Sequence, residues 1–142
     1  MFGISLFKIY LNSLTVSFAE EKIKIGLLIP LTGKNKDIGE QIINSTKIAL
    51  KDINSEKFEI YPKDTKSNPN TTVKSALELK EMGVKIIIGP VFYNSLVYLD
   101  DVDGVTFLSF TNKTLDLPKN VISGGVNATS QLNAIKKFIE LN

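Results

Sequence analysis

The 142-residue sequence contains no cysteine, no histidine and no arginine. Without cysteine the chain has no disulfides and no thiol nucleophile, and a lipid anchor, which needs a cysteine at the cleavage point, is excluded. Without histidine it lacks the commonest general base and zinc ligand. Because no other nucleophile–base pair or metal-ligating cluster is visible, the sequence indicates that the chain is not an enzyme and uses neither a metal nor a cofactor.

All 17 basic residues are lysines, and the formal net charge is only +2. Arginine is the preferred bidentate partner of phosphate groups, and strong nucleic-acid binding needs a larger positive charge. The composition therefore predicts no nucleic-acid partner. A hydrophobic content of 43% and a charged content of 23% are typical of a globular protein, and the length suits one domain.

The first 19 residues have the pattern of a secretion signal. Lys8 precedes a short, mostly apolar segment over residues 9–16, and Ser17 and Ala19 place small residues at the −3 and −1 positions of a cleavage site. The alternative is an N-terminal helix or membrane anchor, but the apolar segment is well short of the roughly 20 residues that a spanning helix needs. We expect cleavage after Ala19 and export of residues 20–142 to the periplasm.

From residue 20 onward, strand-like and helix-like segments alternate, separated by short turns. Ile23, Ile25, Leu27 and Ile29 recur with period two, which is typical of a strand. The patterns predict strands over 22–31, 58–63, 84–89, 105–110 and 121–123, and helices over 37–53, 71–82, 94–101 and 129–141. This alternation predicts an α/β fold, a parallel sheet with helices on both faces.

Local signals predict how three of these helices begin, end and pack. Asp37 followed by Glu40 resembles a capping box, and an Asn-Thr-Thr sequence at residues 70–72 predicts the cap of the second helix. In the final helix, the apolar spacing predicts four inward-facing side chains: Leu132, Ile135, Phe138 and Ile139. No strand follows this helix, so we expect the fold to need more chain than these residues supply.

Five segments in this order resemble the type 1 periplasmic binding protein family, in its leucine/isoleucine/valine-binding group. They are KIGLLIPLTG (24–33), IGEQIINSTKIALKDIN (38–54), KDTKSNP (63–69), VKIIIGPV (84–91) and FLSFTN (107–112). The run over 107–140 is similar to the penicillin-binding protein activator branch of the same family. The resemblance implies that residues 20–142 form the N-terminal lobe of a two-lobed protein, truncated and without the second lobe, either as a partial record or as a truncated gene product.

The resemblance also implies a function. Members of the leucine-binding group capture a small amino-acid-like ligand between two lobes and deliver it to an inner-membrane ABC transporter. The alternative is a regulator of cell-wall synthesis that uses the same fold without transport and acts on a cell-wall synthase.

Ligands of open parallel sheets bind beyond the carboxyl ends of the strands. The resemblance carries ligand contacts over to two loops there, at Tyr93, Asn94 and Ser95 and at Ser109, Thr111 and Asn112. A helix beginning near Asn94 would also offer free backbone amides to a carboxylate. The alternative is that Asn94 and Ser95 only cap that helix and that Thr111 and Asn112 only form a turn.

Two positions depart from the amino-acid binders that the chain resembles. Ile38 stands where those proteins commonly carry an aromatic residue, and residues 92–95 (Phe-Tyr-Asn-Ser) replace their serine-rich loop. Both departures favour another small ligand or a cleft that no longer binds one.

Overall fold

The computed structural model describes residues 21–53 and 56–141; the predicted signal peptide over 1–19 lies outside these residues. The five strands are β1 (Ile23–Ile29), β2 (Phe58–Asp64), β3 (Ile86–Ile88), β4 (Thr106–Ser109) and β5 (Val121–Ser123). The three α-helices are α1 (Lys36–Asp52), α2 (Pro69–Glu81) and α3 (Ala128–Leu141). No helix within the described ranges is long and apolar enough to cross a membrane.

The strands form one sheet in the order β2-β1-β3-β4-β5, and every neighbouring pair is parallel. Helix α1 connects β1 to β2, its neighbour on one side. Helix α2 connects β2 to β3, the neighbour of β1 on the other side, and so crosses β1. Since both kinds of connection are helical and the sheet is parallel, the predicted α/β fold is confirmed.

The hydrophobic core lies on the face of the sheet that α2 covers. Strand pairing places Gly26, Ile87, Phe107 and Val121 side by side in one row across four strands. Ile87 and Phe107 are completely buried, and Val121 is 8% exposed. Side chains of α2 and of the segment after β3 complete this core: Ala76, Leu79, Leu96, Leu99 and Val102.

The opposite face is covered over only part of its width. The adjacent row contains Leu27, Ile88, Leu108 and Ile122. Leu27, which lines a groove with side chains of α1, is 1% exposed, whereas Leu108 is 39% and Ile122 is 55% exposed. Helix α1 therefore covers the β2–β1 half of this face, and the β3–β5 half is open in the described part of the chain.

The prediction that the last helix faces inward is wrong. Its bounds are close to the predicted ones, but no residue of α3 is buried against the rest of the described chain. Leu132, Ile135, Phe138 and Ile139 are each 56–69% exposed. The apolar spacing identifies the side of the helix that favours burial, but α3 does not pack that side against its own sheet.

The predicted caps of the first two helices are also wrong in detail. Asn35 precedes α1, and its side-chain nitrogen donates to the Ser67 hydroxyl (3.0 Å) and does not cap the helix. Asp37 lies within the first turn of α1. The cap of α2 is Asn68, whose side-chain oxygen accepts a hydrogen bond from the Thr71 amide (3.1 Å). Because Pro69 takes the first helical position, where its missing amide hydrogen costs nothing, α2 begins two residues earlier than predicted.

Candidate functional site

The order of the strands defines where a ligand would bind. Strand β1 lies between β2 and β3, and the chain leaves β1 and β3 towards helical segments on opposite faces of the sheet. A crevice forms outside the carboxyl ends of two such strands, and it is the usual ligand site of open α/β sheets. Its walls here are the loop after β1, over residues 30–35, and the loop after β3, over residues 89–92. We call this region the carboxyl edge.

The carboxylate of Asp64 holds the loop after β1, which forms one wall of the crevice. One oxygen of Asp64, at the end of β2, accepts hydrogen bonds from the backbone amides of Leu31 (2.9 Å) and Lys66 (2.8 Å). Its other oxygen accepts from the Thr32 hydroxyl (2.6 Å). Burial raises the pKa of Asp64, but these hydrogen bonds outweigh burial and hold the pKa below its ordinary value. Asp64 thus joins the loops after β1 and β2 as an anion.

Two buried residues, Ser109 and Thr111, hold the loops on the other side of the crevice. Ser109, which is 1% exposed, donates from its hydroxyl to the Pro90 carbonyl (2.8 Å) and accepts from the Thr111 amide (3.2 Å). Thr111 is also buried, and its carbonyl accepts from the Ser123 hydroxyl (2.6 Å). These bonds connect the loops after β3 and β4 and the end of β5, and the Thr111 hydroxyl also accepts from the Lys113 amide (3.2 Å).

The predicted helix over 94–101 is absent, and two short 3-10 turns take its place, at Tyr93–Leu96 and Leu99–Asp101. Tyr98, between the turns, has a φ of 69°, which no α-helix tolerates. The expected anion site at the start of this helix is therefore lost. Ser95 is buried, with its amide donating to the Phe92 carbonyl (3.0 Å), whereas Tyr93 and Asn94 are exposed.

The six predicted ligand residues thus divide into two groups. Ser95, Ser109 and Thr111 are buried, and the structure gives each a place within the loop framework. The other three predicted residues, Tyr93, Asn94 and Asn112, are exposed to solvent. Three of the six residues therefore lie within the loops, and the other three are open to solvent.

Lys113 is a feature of this region that the sequence patterns did not indicate. Its ammonium group lies 3.8 Å from the centre of the Tyr93 ring, a cation–π contact between the loops after β3 and β4. Neither residue predicts this contact from the sequence, because the contact depends on how the two loops are held in the fold. The contact places a positive charge beside the exposed tyrosine.

A shallow groove of about 320 Å³ adjoins this region. Of the six predicted residues it includes only Tyr93, and its other lining residues lie on the turns after β3 and the loop before β5: Leu96, Val97, Tyr98, Asp100, Asp116, Leu117 and Pro118. The carboxyl edge itself is therefore an open surface in the described residues, bounded by loops on one side.

The parallel sheet and its strand order define a crevice at the position where open α/β sheets usually bind ligands. A sequence profile described as "Periplasmic binding protein" matches residues 22–136. The chain therefore belongs to the periplasmic binding protein family. The Leu/Ile/Val-binding protein BraC3 of Rhizobium johnstonii is 30% identical over 110 residues, which are 71% of this chain and 30% of that protein.

Solved structures agree with the fold. A leucine-binding protein, LivK, of Thermotoga maritima has a TM-score of 0.65 at 20% identity, over 82% of this chain and 36% of its own. The C-domain of LpoA of Haemophilus influenzae, a regulator of PBP1A, has a TM-score of 0.63 at 23% identity, over 81% and 37%. The chain spans about a third of the length of these relatives.

Proposed function

We propose that the chain is part of an extracytoplasmic solute-binding protein that captures a small amino-acid-like ligand for an inner-membrane ABC transporter. The observation that carries this proposal is the arrangement of residues at the carboxyl edge, outside the ends of β1 and β3. There, Tyr93, Asn94 and Asn112 are exposed beside backbone that Ser109 and Thr111 hold in place, and Asp64 holds the loop on the other side of the crevice. A braced framework with a few exposed polar groups is what a pre-formed binding surface requires.

The three exposed side chains have complementary chemistry. The amides of Asn94 and Asn112 each offer both donors and an acceptor, and so match the carboxylate and ammonium groups of an amino acid. Tyr93 supplies an aromatic surface, and the neighbouring Lys113 ammonium favours a ligand that carries a carboxylate. In this proposal Ser95, Ser109 and Thr111 support the site, and their buried hydroxyls do not touch the ligand.

Thermal unfolding in the presence of a ligand panel tests the proposal. Because the edge is exposed, we expect weak binding that needs millimolar ligand. A ligand at ten times its dissociation constant should stabilise the folded chain by about 1.4 kcal/mol. The panel contains isoleucine, leucine and benzoate, together with their carboxamides, which lack the carboxylate. Stabilisation by the carboxylates and not by their amides supports the proposal; an unchanged melting temperature with the whole panel contradicts it.

The location outside the cytoplasm is part of the same proposal, supported by the signal pattern over 1–19 and by the family. Expression in a bacterial host should release a protein whose first residue is Glu20, as read by N-terminal sequencing. An intact first residue Met1 on the purified protein would contradict export with cleavage.

The second candidate function is regulation of a cell-wall synthase, by analogy with LpoA, a regulator of PBP1A. It is favoured by Ile38, which occupies the position of the usual aromatic ligand contact and which lines a groove beside α1. Immobilised chain should then retain a purified synthase of the PBP1A kind, and an Ile38→Asp variant should retain less. Retention without any ligand stabilisation would favour this function over transport.

A further inference from the structure

Lys113 is held both at its backbone and at the end of its side chain. Its backbone amide donates to the hydroxyl of Thr111 (3.2 Å), a residue that is only 4% exposed. Its ammonium group lies 3.8 Å from the centre of the Tyr93 ring. A long lysine side chain loses much rotamer freedom when a ligand orders it. Because Lys113 is already ordered by these contacts, a ligand that binds its ammonium group would lose less of that entropy.

The partner of the Lys113 ammonium group is a ring and not an acid. Two other lysines of the described chain pair with carboxylates, Lys63 with Glu78 at 2.8 Å and Lys136 with Glu140 at 3.7 Å. A tyrosine ring attracts an ammonium group through its quadrupole, but the ring carries no net charge and occupies one side of the group only. Lys113 therefore keeps its positive charge, and its N–H donors on the side away from the ring can bind an anion.

This charge lies between the loops of the carboxyl edge. Tyr93 follows β3 and Lys113 follows β4, and these two strands are parallel neighbours. The exposed amides of Asn94 and Asn112 are next to them in the sequence. A small ligand between the two loops would therefore meet one ordered ammonium group together with two neutral amides.

We propose that Lys113 is the residue that selects for a charged ligand: its ammonium group binds the ligand's carboxylate, and Tyr93 positions that ammonium group. The inference rests on the proposed function and narrows the ligand to an anionic carboxylate. The contact is a charge-assisted hydrogen bond from Lys113 Nζ, which is stronger than the bond that a neutral carboxamide can accept. The amides of Asn94 and Asn112 offer donors and acceptors to either form of the ligand.

The alternative role of the Lys113–Tyr93 contact is to join the two loops without touching a ligand. Ligands that differ only in charge distinguish the two roles. Loss of a loop contact should weaken the binding of a carboxylate and of its carboxamide by the same factor, because both need the same loops. Loss of a carboxylate partner should weaken the binding of the carboxylate alone. The informative quantity is the charge preference, which is the Kd of a carboxamide divided by the Kd of its carboxylate.

NMR titration of the full chain with benzoate, benzamide, leucine and leucinamide measures this preference. Lys113→Gln removes the charge and keeps a polar end. Its charge preference should fall about threefold to fivefold, because binding of the carboxylates weakens, whereas the Kd of benzamide should not rise. Lys113→Arg keeps the positive charge and should keep most of the preference. An unchanged preference in Lys113→Gln would overturn the proposal, and so would an equal loss of affinity for benzoate and benzamide.

Lys85→Gln is the matched control, because it makes the same change of net charge at the opposite end of the strands. Lys85 is exposed and directly precedes β3. This variant should bind benzoate and benzamide as the unmodified chain does. If it loses as much preference as Lys113→Gln, the overall charge of the chain selects the carboxylate and the role assigned to Lys113 is wrong.

Two variants of Tyr93 test the positioning role. Tyr93→Phe retains an aromatic ring beside the ammonium group and should retain the charge preference. Tyr93→Leu removes the ring, and its preference should fall about twofold, as expected for loss of an exposed cation–π contact. Equal preferences in the two variants would show that the ring does not position Lys113.

The same titrations separate this inference from the proposed function. If benzoate or leucine binds the unmodified chain and Lys113→Gln with equal affinity, ligand binding stands and the role of Lys113 is refuted. If neither benzoate nor leucine binds the unmodified chain, both proposals are refuted.

Discussion

The two faces of the sheet carry similar apolar residues but differ in how far those residues are buried. In β3 three isoleucines follow one another, and Ile87 is completely buried whereas Ile86, one residue away, is 40% exposed. In β4, Phe107 is completely buried and its neighbour Leu108 is 39% exposed. The strand sequence therefore does not decide burial here. The two faces differ in the elements that pack on them. In the described residues, α2 and the segment after β3 lie over one face, and α1 lies over only half of the other.

The largest expected effect is loss of the Phe107 side chain from the covered face. Phe107→Ala should lower the free energy of unfolding by about 3–5 kcal/mol, because it leaves a cavity among Leu28, Leu79 and Leu99. Leu108→Ala, a truncation of its neighbour on the open face, should cost about 1 kcal/mol. Urea unfolding at low protein concentration measures both. Equal losses would show that the two faces are equally covered in solution.

Adding a methyl group to the covered face should have the next largest effect. A Cβ at residue 26 would lie 2.7 Å from Leu79 Cδ1 and 2.9 Å from Ile87 Cγ1, closer than these atoms can approach. Gly26→Ala should therefore destabilise the chain by about 1–3 kcal/mol, although alanine is otherwise the better strand residue. Urea unfolding again provides the measurement. A stabilised variant would mean that α2 packs less tightly on β1 than described.

Replacing Asp64 should change stability by a smaller amount. This carboxylate lies at the end of the sheet, where it holds the loop leading to α1. Asp64→Asn should cost about 1–2 kcal/mol at pH 7, because an amide cannot accept all three hydrogen bonds. The folded chain holds the pKa of Asp64 below its ordinary value, so its stabilisation is complete above the ordinary value near 4 and is lost as pH falls through the lowered value.

The unmodified chain should accordingly lose more stability than Asp64→Asn between about pH 5 and pH 3. Asp103→Asn, a change at an exposed carboxylate, is the control and should follow the unmodified chain. Parallel pH profiles for the chain and Asp64→Asn would contradict the role given to this carboxylate.

Much of the fold was predictable because it follows from local patterns. Period-two runs located the strands, and β5 matches its prediction at both ends. The segment over 94–101 was not predictable, because Tyr98 takes a backbone conformation that its residue type disfavours. The exposure of the apolar side of α3 was not predictable either. Amphipathic spacing shows that one side of a helix favours burial, but it does not show which surface covers that side.

The candidate site was predictable in its location but not in its division of roles. Parallel strand order places the candidate site beyond the carboxyl ends of β1, β3 and β4. Whether a hydroxyl touches ligand or braces a loop depends on the partner it meets, as Ser109 meets the Pro90 carbonyl. The Lys113–Tyr93 contact joins two loops 20 residues apart in sequence, so no local pattern could indicate it.

Amide chemical shifts measured by NMR would show whether a ligand binds at the carboxyl edge. Titration with isoleucine should shift the amide resonances of Tyr93, Asn94 and Asn112, and leave those at the opposite end of the strands, such as Lys85, unchanged. A double variant, Asn94→Ala with Asn112→Ala, should lose these shifts and keep the rest of its spectrum. Shifts centred on the opposite end of the strands, or shifts that persist in the double variant, would contradict binding at the carboxyl edge.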